Sequence, residues 1–321
     1  MSDNVDRQET PFILERLLRS ALHHEKSKEA ASSELEFIET MDQAALKEIR
    51  EQKLADDPVE MAQELAFQAY ECGDRDDARE LAEKALVADP TCVDALTVRA
   101  FLDSDDAAGL IDTLGEVLDI GENMLGEEFF SEYMGDFWGM VEARPYMRTT
   151  KQLAELMWSV GRRFDAVACY ENLIELDPED HMGNATPLLG FYLGMGEVQR
   201  SWDLLEEFDT EDNTLHSWAW VLLFLWIGEE EAATKGLHSA MEMNPYVASL
   251  LVGIDDDDDV EILLYHQPGS IEEAHYILEI MGEAWSRDGE TQMWLFRSLS
   301  EMGLIEIDDD EDGDESGPVP N

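Results

Sequence analysis

Small residues and a proline recur three times in this chain at one fixed spacing: Gly73, Ala78, Ala85 and Pro90; Gly161, Ala166, Leu173 and Pro178; Gly228, Ala233, Ala240 and Pro245. A spacing repeated in this way constrains the fold more than composition does, because it marks helical hairpins that bury their apolar faces only by stacking on one another. In residues 65–90 and 153–178, apolar or small residues recur at helical spacing on both sides of the glycine, so each copy predicts helix, turn, helix. Gly73 and Gly161 are expected to end the first helix in a backbone conformation of positive φ. Ala66 is expected to face Ala78, and Ala154 to face Ala166. A larger side chain at such a crossing overpacks it, at a cost of about 1–3 kcal/mol. Pro90, Pro178 and Pro245 follow Asp89, Asp177 and Asn244. Proline biases the residue before it away from helix, so each closes a second helix.

This pattern resembles the tetratricopeptide repeat, a helix-turn-helix unit of about 34 residues. A fourth copy, residues 188–208, keeps Gly196 but has Ser201 in place of the alanine and no closing proline. Residues 91–124 keep Ala95, Ala100 and Leu110 without the turn glycine and read as a degenerate repeat, with a loop-like stretch over 126–139. Residues 143–286 are similar to bacterial tetratricopeptide proteins related to the suppression-of-tumorigenicity family. The resemblance is carried by ARPYMR at 143–148, DPEDHMGN at 177–184, and NPYV at 244–247 followed by LLVG. It implies a helical-repeat fold and an interaction role, and it brings no catalytic motif that can be placed on this chain. Five consecutive aspartates at 255–259 and the first 57 residues depart from it.

The expected fold is therefore all-α, a right-handed solenoid of helical hairpins with flanking helices at both ends. Its segments are an N-terminal helical arm or cap (1–57), two repeats (58–125), a connecting segment (126–142), three repeats (143–250), an acidic loop and linker (251–270), capping helices (271–305) and an acidic tail (306–321). A solenoid adds length without thickening its core, so 321 residues read as one elongated domain. Residues 11–24 and 33–53 each predict an amphipathic helix, the first with Phe12, Leu14, Leu17, Leu18 and Leu22 on its apolar stripe. Such helices either cap the repeats or form an arm that binds a partner or a second subunit. Further helices are expected at 271–285 and 290–304, while the tail from Glu306 has too little apolar content to pack.

Charge narrows the partners. Twenty-one Lys and Arg stand against 75 Asp and Glu, a net charge of −54, and only seven of the basic residues are lysine. Phosphate backbones and anionic membrane surfaces are repelled, so neither nucleic acid nor membrane is an expected partner. A basic protein or peptide is favoured electrostatically. The acidity also fits a saline host or a merely solvated surface. Cys72, Cys92 and Cys169 are widely spaced and read as reduced core thiols. The N-terminus lacks a signal-peptide pattern and the longest apolar stretch, 218–228, is too short for a bilayer, so the expected location is cytoplasmic.

Motifs for catalysis or metal binding are weak. Asp308, Asp310, Asp312 and Gly313 match the first half of a calcium loop, but Val319 stands where the closing glutamate belongs, so an acidic tail is the reading. The aspartates at 255–259 read as a solvated loop. The seven histidines form no zinc pattern, and His23 and His24 point to different helix faces. There is no phosphate loop or nucleophile elbow. No cofactor, metal or enzymatic activity is expected.

The remaining surface is the groove that first helices of such hairpins line. On this register it gathers Gln63, Phe67 and Tyr70, then Lys151, Glu155 and Trp158, then Trp218, Leu222 and Leu225. Tyr70 and Trp158 are the expected anchors, with Arg148 and Lys151 as polar contacts. The alternative is that the chain's own flanking helices cover these aromatics. Arg144, Arg148 and Lys151 share a helix face, able to take a carboxylate or to pair with neighbouring repeats. The acidic tail at 308–315 is one candidate for that face. The expected function is a non-enzymatic scaffold that docks a peptide or partner helix in the groove; the alternative is an acidic mimic of nucleic acid that titrates basic proteins. Partner identity and oligomeric state are not encoded in any motif.

Overall fold

A computed structural model describes residues 12–23, 57–208, 213–253 and 267–305. The helix expected at 33–53, the aspartates at 255–259 and the acidic tail from Glu306 lie outside the described residues. Among the described residues there are fourteen helices and no strand. They fall into two compact units, residues 1–184 and 185–321, where one elongated domain was expected.

The first unit holds α1 (Ile13–His23), α2 (Pro58–Glu71), α3 (Arg75–Ala88), α4 (Val93–Asp103), α5 (Ala107–Tyr133), α6 (Arg144–Ser159) and α7 (Arg163–Leu176). Helices α2 and α3 form one hairpin and α6 and α7 another, while α4 packs on α2, α3, α5 and α6. Alanine sets the closeness of the first hairpin: Ala62, Ala66, Ala69, Ala82 and Ala85 are all buried. Ala66 clusters with Ala85 and Ala95, and Ala69 with Ala82 and Val98. Ala66 thus packs with Ala85, where Ala78 was the expected partner.

Helix starts absorb part of the acidity. Asp57, Asp74 and Asp106 each accept a backbone N–H at the start of α2, α3 and α5, which satisfies an orphan donor and sets negative charge at the positive end of the helix. Helix ends follow the prolines: α3 and α7 stop at Ala88 and Leu176, with Asp89 and Asp177 already out of helical geometry. Gly161 turns with φ of 82°. Gly73 does not need positive φ, since Cys72 is already extended and Asp74 caps the next helix. The loop expected at 126–139 is shorter than that. Gly126 breaks α5 at φ 79° and ψ 157°, and the helix resumes to Tyr133. Phe129 and Phe130 explain the resumption, since both pack on Phe137 and Phe130 also meets Tyr146 edge-on.

The second unit holds α8 (Ala185–Met195), α9 (Val198–Phe208), α10 (Thr214–Trp226), α11 (Glu230–Met243), α12 (Tyr246–Leu251), α13 (Ile271–Trp285) and α14 (Gly289–Glu301). Gly196 and Gly228 turn the α8–α9 and α10–α11 hairpins with φ of 74° and 82°. Helix α13 packs on α8, α10 and α12. It touches α8 at Gly190, where the Ile280 carbonyl approaches too closely for a side chain. It touches α10 where Trp285 meets Trp218 edge to face at 5.8 Å. Asn244 explains the NPYV segment: it is fully buried, donates to the Ser270 carbonyl and to Glu273, and accepts the Tyr246 N–H. No helix among the described residues is long and apolar enough to cross a membrane.

Candidate functional site

The first unit brings a set of charged and aromatic side chains from α2, α4 and α6 under α1, and four of the ten expected groove residues, Gln63, Phe67, Tyr70 and Arg148, converge there. Among the described residues, four make this contact: Phe12 just ahead of α1, then Glu15, Arg16 and Arg19 within it. They stand at i, i+3, i+4 and i+7, one stripe of an α-helix. Phe12 stacks on Phe67 with ring centroids 4.5 Å apart and planes 17° apart, and it tilts against Tyr70 at 5.5 Å. Arg16 donates to Glu64 at 2.8 Å and to both oxygens of Glu71 at 2.7 and 3.0 Å. Arg19 donates to Glu60 at 3.2 Å and to the Val141 carbonyl at 2.7 Å, and pairs along its own helix with Glu15.

The floor of this contact is a carboxylate pair around one guanidinium. Asp94 is fully buried on α4 and accepts two hydrogen bonds from Arg148 and one from Gln63. The other side of Arg148 donates to Glu15 of α1. Burial alone would lower the Arg148 pKa, but Asp94 and Glu15 more than offset it and hold the value above that of an ordinary arginine. The arrangement follows from cost: a buried aspartate is tolerated only with its lone pairs occupied and a cation beside it. Arg148 also lies 5.2 Å from the Phe12 ring centroid and 5.7 Å from that of Phe67, so cation and aromatic contacts share one layer.

The expected groove residues thus have distinct fates. Gln63 and Phe67 are buried, Phe67 to 1 % exposure, beneath α1. Tyr70 puts one side against Phe12 while another lines a cavity of about 400 Å3 together with Ala69, Val98, Phe101 and Leu102. Burial raises the Tyr70 pKa well above the usual phenol value. Lys151 turns away from that layer and donates to the Met182 carbonyl at 2.9 Å, and burial lowers its pKa. Glu155 is exposed. Trp158 is half-buried, with the Arg163 guanidinium 4.8 Å from its ring centroid. The set expected on α10 does not form an open surface: Trp218 and Leu222 are fully buried, Leu225 half-buried, and α13 covers Trp218 with Trp285.

Arg144 and Arg148 do not share a free basic face either. Arg144 is 2 % exposed, donates to the Trp138 carbonyl at 2.9 Å, and lies 4.2 Å from the Trp138 ring centroid. Desolvation brings its pKa down to about 10. On Trp138 also stacks His181, which meets buried Asp177 at 2.8 Å through Nδ1. The ARPYMR and DPEDHMGN segments are therefore joined in space through Trp138, a residue that neither segment contains. Sequence reasoning missed it, and it missed Asp94 and Glu15 as partners of Arg148. In so acidic a chain, no single carboxylate stands out as a partner. Among the described residues no group of three or more His, Cys, Asp or Glu is placed to hold a metal ion. No protein-family model matches this chain, and no curated protein sequence matches it significantly.

Proposed function

We propose that the chain is a non-enzymatic interaction scaffold of tetratricopeptide-like hairpins, acting in the cytoplasm, and that the face built by α2, α4 and α6 receives a helix of a partner protein. The observation that supports this most is the seating of α1: an amphipathic helix separated from α2 by residues 24–56 lies against that face through stacked aromatics and ion pairs. First helices packed side by side, α2 on α4 and α4 on α6, are what a solenoid of helical hairpins requires. A helix laid into a groove through residues at i, i+3, i+4 and i+7 is a general mode of recognition.

The rival reading, an acidic decoy, makes a different forecast for one experiment. Full-length protein and its Phe12→Ala, Arg16→Ala variant are used to capture proteins from native lysate at about 0.1 M and about 0.5 M NaCl. The variant weakens the seating of α1 and changes the net charge by a single unit. The scaffold reading expects a protein enriched on the variant and retained at the higher salt. Equal capture of basic proteins by both, all released by salt, means that charge alone does the binding and the scaffold reading is wrong.

A further inference from the structure

Resting on that reading, we propose the class of partner: an amphipathic helix of another protein that carries an aromatic residue, a carboxylate and two arginines at i, i+3, i+4 and i+7, and that displaces α1, which holds the same face in cis. The charge order of the face leads to this pattern. With α1 lifted away, Arg148 keeps Asp94 but has lost its second carboxylate, Glu15. Arg148 then calls for one acid from the ligand. Around it stand Glu60, Glu64 and Glu71, which in the seated state are matched by Arg19 and Arg16. The rim therefore calls for two cations, one turn apart. Phe67 offers a ring face at the centre and stacks on one aromatic. A helix that is basic but lacks the acid leaves Arg148 without its second partner, and one that lacks the aromatic leaves Phe67 uncovered.

The seated helix has the marks of a replaceable occupant. Helix α1 has eleven residues, too few to be stable alone in water, so its order depends on docking. Among the described residues its contacts come from the four-residue stripe, Leu17 is buried beside it, and the ion pairs of Arg16 lie at a partly exposed rim. Helices α2, α4 and α6 pack on one another without it. Tethering supplies the missing stability, because a segment covalently joined to its own site binds it intramolecularly and so competes at a raised effective concentration. A partner in trans has to match the pattern well to win.

The test uses a fluorescein-labelled synthetic peptide with the sequence of residues 12–23 as the stand-in ligand, and full-length protein as receptor. Anisotropy titrations compare wild type with the Phe12→Ala, Arg16→Ala variant. The variant is expected to bind the peptide at least about tenfold more tightly, because the cis competitor is weakened. Peptides carrying Phe12→Ala, Glu15→Gln or Arg16→Glu are expected each to lose at least about tenfold in affinity. In case the variant does not fold, amide exchange of residues 12–23 in the wild type is followed as unlabelled peptide is added; displacement accelerates it. Equal affinity of both receptors, or exchange that the peptide leaves unchanged, overturns displacement. Indifference to the peptide changes overturns the pattern. A wild-type dimer that sedimentation shows falling apart in the variant also overturns it, since the occupant is then α1 of a second copy. If the peptide binds neither receptor while the lysate capture still favours the variant, this proposal fails and the scaffold reading stands; if both fail, neither stands.

Discussion

Cys92 shows how a single side chain reports on the packing around it. It is buried among Ala62, Ala66, Ala85 and Ala95, and desolvation pushes its thiol from an ordinary value of 9.0 up to about 12, with Asp94 adding to the shift. The thiolate is the reactive form, so Cys92 is expected to resist iodoacetamide at pH 8 in the native protein by at least about a hundredfold relative to the same residue in urea. Labelling followed by peptide mass spectrometry reads this directly, and native labelling at the unfolded rate would place Cys92 outside the core. The same shift sets a dependence on alkali. The unfolded chain releases this proton near pH 9.0, whereas the folded chain holds it to about 12. Between those values the folded state binds more protons, so stability falls as pH rises. Tyr70, Tyr146 and Tyr170 are shifted upward by burial as well and act in the same sense. Unfolding followed by circular dichroism is expected to move to lower urea concentration from pH 9 towards 12; a flat midpoint would contradict the burial of these groups.

Helix-scale features divide into those that a repeat spacing announces and those that depend on what lies across the chain. The hairpin turns at Gly161, Gly196 and Gly228 and the helix ends before the prolines were legible, because each is set by residues within a few positions. The expected helix at 271–285 coincides with α13. Its place against Trp218 was not legible, since an apolar face states that something covers it and not which helix does. Trp218 was read as groove for that reason. The stripe of α1 was equally visible in its apolar residues, while its pairing with Glu64, Glu71 and Arg148 joins positions 48, 55 and 133 residues apart, which no local pattern connects. Two glycines test the helix packing with opposite signs. A methyl at Gly190 would come 2.6 Å from the Ile280 carbonyl oxygen, so Gly190→Ala is expected to force α8 from α13 and destabilise by about 1–3 kcal/mol. At Gly115, inside α5, nothing lies within 4 Å. Gly115→Ala is expected to stabilise by about 0.4–1 kcal/mol through the lower entropy of the unfolded chain. Denaturant titrations of both variants check the pair, and equal shifts would refute the close α8–α13 contact.

Charge acts on the whole molecule in one direction and on the α1 contact in the other. A net charge of −54 repels itself in the compact state. Raising NaCl from about 0.05 M to about 1 M shortens the screening length to about 3 Å. It is expected to raise the thermal midpoint by at least about 4 °C, a gain on the order of 1–2 kcal/mol. A midpoint that falls with salt would mean that attraction, not repulsion, dominates the surface. The Arg16 and Arg19 pairs are weakened by the same ions, so amides of α1 are expected to exchange faster in salt while the hairpins grow more stable. By charge alone, a polyanion attracts basic proteins without regard to their sequence. Phe12 and Glu15 already occupy the face beneath, so on the proposed reading an intruder has to match shape and register as well as charge. On that reading the seated helix is a threshold, set between a crowd of electrostatic visitors and the few sequences that fit.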